Sequence, residues 1–124
     1  MDTNRHNKGW GYEEWLYNNE YCAKRLSFRA GGTTSLHYHV KKTETFIVVK
    51  GTFSLMIVNP LTATATTRTM CVGDFQNVPV GLAHALKCTG AKGGVVIEAS
   101  THHEDKDSYR VAPGDSQKLE RQAK

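Results

Sequence analysis

A chain of 124 residues has room for one domain and one core, and its 39% hydrophobic and 9% aromatic content fits a folded globular protein rather than a disordered one. No apolar run approaches the ~20 residues needed to cross a bilayer, and the opening MDTNRHNKGWGYEEW has no apolar stretch to act as a secretion signal. The expectation is a cytoplasmic protein with no membrane partner. The net charge of +4 invites nucleic acid, but the basic residues are scattered and no basic stripe interleaves with aromatics. A modest positive field favours an anionic small molecule instead, and no nucleic acid is expected.

In chain order, residues 1–9 are polar and expected to be a flexible N-terminus. Residues 10–16 (WGYEEWL) are aromatic-rich and expected to pack, against the wall of the fold or a second subunit. From Tyr21 onward, apolar alternation marks short strands at 21–28, 35–39, 44–50, 52–59, 64–72, 75–78, 83–88 and 94–100. Gly31-Gly32, Lys41-Lys42, Lys50-Gly51, Asn59-Pro60, Gly73-Asp74, Pro79-Val80-Gly81 and the glycines of residues 90–94 punctuate them as turns. Evenly spaced strands with Gly/Pro turns predict an all-β sandwich or barrel across residues 10–112. Residues 113–124 are polar and expected to form a frayed tail or a short surface helix without a core. Cys22, Cys71 and Cys88 are an odd count at wide spacing, which predicts reduced thiols rather than a disulfide framework.

Two segments carry chemistry. In GGTTSLHYHVKKTETFIVVKG (residues 31–51), His37 and His39 are two apart and on a strand project to one face, the spacing a metal needs from two imidazoles. A turn at Lys41-Lys42 and a new antiparallel strand bring Glu44 back toward them. In GDFQNVPVGLAHALKC (residues 73–88), the sharp Pro79–Gly81 turn leads into a strand starting near His84, which supplies a third imidazole if that strand lies beside the first pair. Three neutral histidines and one carboxylate suit a single divalent transition metal (Zn, Mn, Fe, Ni or Co) rather than Mg or Ca, which prefer oxygen shells. With no thiolate in the set, open positions for water or substrate are expected.

These segments resemble the two cupin motifs. The first, G-x5-H-x-H-x4-E-x6-G, runs from Gly31 through His37, His39 and Glu44 to Gly51. The second, G-x5-P-x-G-x2-H-x3-N, matches at Gly73, Pro79, Gly81 and His84 and departs from the pattern at Cys88, where the family has Asn. The resemblance implies a double-stranded β-helix barrel of jelly-roll kind, the metal set His37, His39, Glu44 and His84, and a homodimer.

Three further features bear on function. Lys42, in H-x-H-x-x-K-x-E, is either a solvated turn lysine or a cation that grips an oxygen of the ligand. Glu98 breaks the apolar run of GGVVIEAS and is either a rim charge or a base aimed into the cavity. The run EASTHHEDKDSYR brings Asp105, Asp107, Tyr109 and Arg110, whose bland reading is solvated loop charge. His6, His102 and His103 read singly as packed or surface residues. Together with the Trp10-Gly11-Tyr12-Glu13 opening, these features are similar to the sugar-isomerase branch of the cupins, the D-lyxose isomerase and mannose-6-phosphate isomerase-like types. That resemblance implies aldose–ketose isomerisation of a sugar or sugar phosphate, with Glu98 and Lys42 as catalytic residues and Asp107, Tyr109 and Arg110 binding the carbohydrate. The alternatives are a non-haem metal dioxygenase and a non-catalytic sugar- or metabolite-binding cupin.

Overall fold

A computed structural model describes residues 4–118. Among the described residues eleven strands run in chain order: β1 (Arg5–Lys8), β2 (Gly11–Asn18), β3 (Cys22–Phe28), β4 (Leu36–Tyr38), β5 (Glu44–Lys50), β6 (Phe53–Asn59), β7 (Thr64–Met70), β8 (Phe75–Val78), β9 (Ala83–Cys88), β10 (Gly94–Ser100) and β11 (Tyr109–Ala112), with a 3-10 turn at Asp105–Asp107. They form two antiparallel sheets, ordered β1-β2-β3-β10-β5-β8 and β11-β4-β9-β6-β7, in a double-stranded β-helix barrel. Among the described residues no helix is long and apolar enough to cross a membrane.

The strands form where side chains alternate between a dry and a wet face. β3 (CAKRLSF), β5 (ETFIVVK) and β10 (GVVIEAS) each bury every second residue, and the buried set faces the other sheet. The core collects Leu26, Phe28, Phe46, Val48, Phe53, Leu55, Met70, Leu86 and Val96. Trp10 caps one side of it, stacked on Phe28 at 4.3 Å, and Phe28 meets Phe53 edge-on at 5.0 Å. Cys88, which stands where the motif has Asn, is a fully buried member of this core. All three thiols are free, with Cys22 also buried and Cys71 exposed. At Gly51, which closes the first motif, φ is +78° and an added Cβ would stand 2.6 Å from the Gly93 carbonyl oxygen. Only glycine fits that crossing of two turns. The Gly81 N–H donates to the His39 carbonyl at 2.8 Å and so ties the second motif's turn to the end of β4.

Two stretches carry strands that no apolar period announces. The described part of the stretch 1–9 is not without regular structure: Arg5–Lys8 pairs along β2, from Arg5 opposite Glu14 to Lys8 opposite Gly11. Its four residues are all exposed, so no apolar period marks it, and backbone pairing and the Arg5 guanidinium over the Tyr12 ring (3.6 Å) hold it. Nor is the stretch after β10 only a charged loop, because Tyr109–Ala112 adds a strand beside β4. In the expected tail, residues 115–118 turn helically, and Asp115 accepts from Arg29 at 2.8 Å and from the Thr33 N–H at 2.9 Å. Residues 119–124 of that tail lie outside the described residues.

Candidate metal centre

β4 and β9 lie side by side with His37 directly opposite His84. His39 follows His37 two residues on, and Glu44 opens β5 in the facing sheet. Ring centroids stand 4.5 Å apart for His37–His84, 5.0 Å for His37–His39 and 5.4 Å for His39–His84. One nitrogen from each ring falls within 4.8 Å of the others.

The backbone sets which nitrogen faces inward. Nδ1 of His37, His39 and His84 donates to the carbonyls of Ser35, Asp107 and Leu82, each at 2.9 Å. A carbonyl can only accept, so each Nδ1 carries a proton, and in the neutral imidazole each Nε2 is an inward-facing lone pair. That outer shell is the kind that orients metal-ligating imidazoles. Glu44 Oε2 lies 3.0 Å from His39 Nε2 and 3.2 Å from His84 Nε2. These three atoms are buried and lack a hydrogen-bond partner.

Lone pairs that face each other this closely in a dry site repel and cost free energy unless a positive charge lies among them. Two ligands ~2.1 Å from one ion at a right angle are ~3.0 Å apart, which matches the two nitrogen–carboxylate spacings. The donor set therefore fits one divalent cation. Burial and the neighbouring His84 push the His37 imidazole down to about 3, so it stays neutral and able to ligate. Burial alone would raise the Glu44 carboxyl and lower the His84 imidazole, but their mutual attraction outweighs it, with His39 and Lys42 adding to the pull. Glu44 is held well below its ordinary range and His84 above its own, so a proton supplies the positive charge between them when no metal does.

Lys42 is not a solvated turn lysine. It is 3% exposed, and its ammonium donates to Glu98 Oε2 at 3.0 Å and stands 3.9 Å from Glu44 Oε1. Glu98 is no rim charge either: it is buried on β10, opposite Phe46 of β5 and Lys24 of β3, and it lines the cavity. That cavity holds about 660 Å³ between the two sheets, with the three histidines at one wall.

The other expected site residues divide. Arg110 lines the cavity, since β11 pairs with β4 so that Arg110 sits opposite His37. Tyr109, one residue earlier, falls on the outer face, where it is exposed and stacks on Tyr38 at 5.4 Å. Asp107 does not line the cavity, and its carboxylate is already occupied. It accepts from the N–H groups of Val40 (2.9 Å), Lys41 (3.1 Å) and Lys42 (3.0 Å), closing the turn between His39 and Glu44. Neither Tyr109 nor Asp107 is among the residues that line the cavity.

Sequence reasoning read His103 only as a packed or surface residue and passed over Lys24. His103 Nδ1 accepts from the Lys42 ammonium at 2.9 Å, and its Nε2–H donates to Asp105 at 2.8 Å. The Asn18 side chain clamps both backbone groups of His103, at 2.8 Å and 3.0 Å. No periodicity points to this loop histidine. Lys24 had a signal: it shares the inward parity of Cys22, Leu26 and Phe28 on β3.

Comparison with known proteins places this geometry. A germin-like protein 8-14 of Oryza sativa subsp. japonica is 32% identical over 77 residues, which cover 62% of this chain and 36% of that protein. The capsular polysaccharide assembling protein CapF of Staphylococcus aureus superposes with a TM-score of 0.80 at 18% identity, covering 87% of this chain and 32% of that one. Oxalate decarboxylase of Bacillus subtilis gives 0.78 at 17% identity, covering 89% and 30%. The chain thus spans about a third of the length of each of these proteins, between 30% and 36%. A family model described as Cupin matches residues 12–117, nearly the whole of the two-sheet fold with its histidines, and the chain belongs to that family.

Proposed function

We propose that this cupin binds one divalent transition metal (Zn, Mn, Fe, Ni or Co) through His37, His39, Glu44 and His84, and interconverts an aldose and a ketose, free or phosphorylated, in the adjoining cavity. The observation that carries the reading is the buried Glu98–Lys42 pair, 3.0 Å apart on the cavity wall, with Lys42 also 3.9 Å from Glu44. When bound, the metal supplies Lewis acidity toward a carbonyl and a neighbouring hydroxyl oxygen.

The residues do the rest. The Glu98 carboxylate takes the proton from the carbon next to the carbonyl and returns it to the former carbonyl carbon. Meanwhile a proton passes between the two oxygens, so the product is an isomer with no atom gained or lost. The Lys42 ammonium stands where negative charge develops on oxygen and stabilises it in a site screened from water. Arg110, which lines the cavity opposite His37, holds a further oxygen of the ligand. Two copies associate through the exposed Leu16, Tyr17 and Tyr21 about the β2 bulge, a reading that light scattering checks.

The test measures metal content together with aldose–ketose conversion on a panel of sugars and sugar phosphates, for wild type and Glu98→Gln. Turnover that falls about a hundredfold or more in the variant is expected for loss of a general base. Absence of turnover on every sugar at full metal occupancy overturns the isomerase. Oxygen uptake by the iron-loaded protein in its place marks a dioxygenase.

A further inference from the structure

Lys24 is 2% exposed, yet it lines the cavity. Among the described residues its nearest acid is Glu13, whose Oε1 is 3.7 Å from the ammonium, beyond good hydrogen-bond reach. That same oxygen already accepts the Trp15 indole N–H at 2.9 Å and faces the Lys8 ammonium at 4.0 Å. Burial would raise Glu13, but Lys24, the indole and Lys8 outweigh it and hold the carboxyl below its ordinary range. One carboxylate oxygen thus answers two ammonium groups and an indole. The Trp15 ring lies 4.6 Å from the Lys24 nitrogen and aims the ammonium without taking its protons. The side chain is buried but its ammonium opens on the cavity. Its three donors have no acceptor within good hydrogen-bond reach among the described residues, so they are free for a ligand there.

The register sets the distance to the metal centre. Trp15, Lys24, Glu98 and Phe46 form one cross-strand row over β2, β3, β10 and β5. Neighbouring strands are ~4.8 Å apart, so Lys24 stands ~10 Å across the sheet from the strand that carries Glu44. The charge balance agrees in sign. Lys8, Lys24, Lys42 and Arg110 line the cavity with an equal number of carboxylates. A divalent cation among the histidines then leaves the cavity with a positive surplus.

We infer that Lys24, seated on Trp15, is an anion subsite that takes a carboxylate or phosphate at the end of the ligand remote from the histidines. The inference deepens the reading of this cavity as a small-molecule site and does not depend on the isomerase chemistry. The anion accepts from the Lys24 ammonium where Glu13 does not reach, and the indole face keeps water from that side.

Calorimetric titration of the metal-loaded protein at low salt, with inorganic phosphate in one arm and acetate in the other, tests it. At least one anion binds, and its affinity falls about tenfold in Lys24→Met, as loss of a buried charge-assisted contact requires. Glu13→Gln, which removes the competing acid, tightens the same anion by about threefold, an opposite sign that general unfolding cannot produce. Lys24-dependent phosphate binding identifies a phosphate ester as the ligand class, and Lys24-dependent acetate binding a carboxylic acid. Failure of both anions to bind wild type, or binding that neither substitution changes, as expected of an anion sitting on the metal, overturns the subsite. Absence of sugar turnover would end the isomerase reading and leave these results as they stand.

Discussion

One carboxylate, that of Asp107, shapes the turn between the second histidine and the glutamate. It accepts three consecutive backbone N–H groups, and its own carbonyl takes the His39 Nδ1 proton. Burial would raise its pKa, and those N–H groups outweigh burial and lower it, so its contribution persists until the pH falls below the ordinary carboxylate range. Asp107→Ala strands the N–H groups and is expected to cost about 3 kcal/mol in urea unfolding of the metal-free protein. Metal affinity should fall about tenfold or more with it, because His39 loses its fixed orientation. His103 gives a separate signature. Burial, then Lys24 and Lys42, push it below 6.5 against the pull of Asp105. The unfolded chain takes up that proton near 6.5 and the folded chain only at lower pH, so the unfolded state binds more protons in between, and stability falls as pH falls below about 6.5. His103→Asn keeps an acceptor for Lys42 and removes this component. The wild-type unfolding midpoint should therefore drop more than the variant's between about pH 7 and pH 5.

At the scale of strands, what was legible follows from what each strand buries. β5, β6, β9 and β10 announce themselves because alternate residues enter a dry core between turn residues. β1 and β11 bury no apolar side chain, and β2 carries a bulge between Trp15 and Tyr17 that breaks its period, so composition could not reveal them. The site divides the same way. His37, His39, Glu44 and His84 were readable from strand parity and motif spacing, and Glu98 shares the inward parity of Val96. Lys42 lies in a turn, where parity says nothing; its inward course depends on Asp107, sixty-five residues later. Tyr109 and Arg110 could be sorted only once β11 was known to pair with β4. The turns that carry the register are themselves testable. Gly51→Ala forces a side chain onto φ +78° and toward the Gly93 carbonyl at 2.6 Å. It is expected to cost about 2 kcal/mol or more by denaturant unfolding, with the strands on either side of the turn intact by circular dichroism.

Over the whole molecule, the candidate metal site joins the two sheets. The three histidines come from or follow strands of the five-stranded sheet, and Glu44 comes from the six-stranded one. A cation held by all four would pin the sheets together at the cavity, and its binding energy would add to folding because no such site exists in the unfolded chain. At a free metal concentration a thousandfold above Kd, that linkage supplies about 4 kcal/mol. For a domain of this size it corresponds to a rise in Tm of about 15 °C. Chelation should remove the increment in a thermal melt, and re-addition of the metal should restore it. Glu44→Gln separates this from generic packing. At a pH high enough to leave His84 neutral, the amide keeps the volume and can donate to one of the facing Nε2 lone pairs, which the carboxylate cannot do. At that pH and without metal the variant should melt no lower than wild type, while the metal-dependent rise should be largely lost. A metal-free variant that melts well below wild type and still gains the full increment would mean that Glu44 serves the fold and not the metal. The crossing of the two effects is expected because the site holds its donors against mutual repulsion, and a bound cation relieves it.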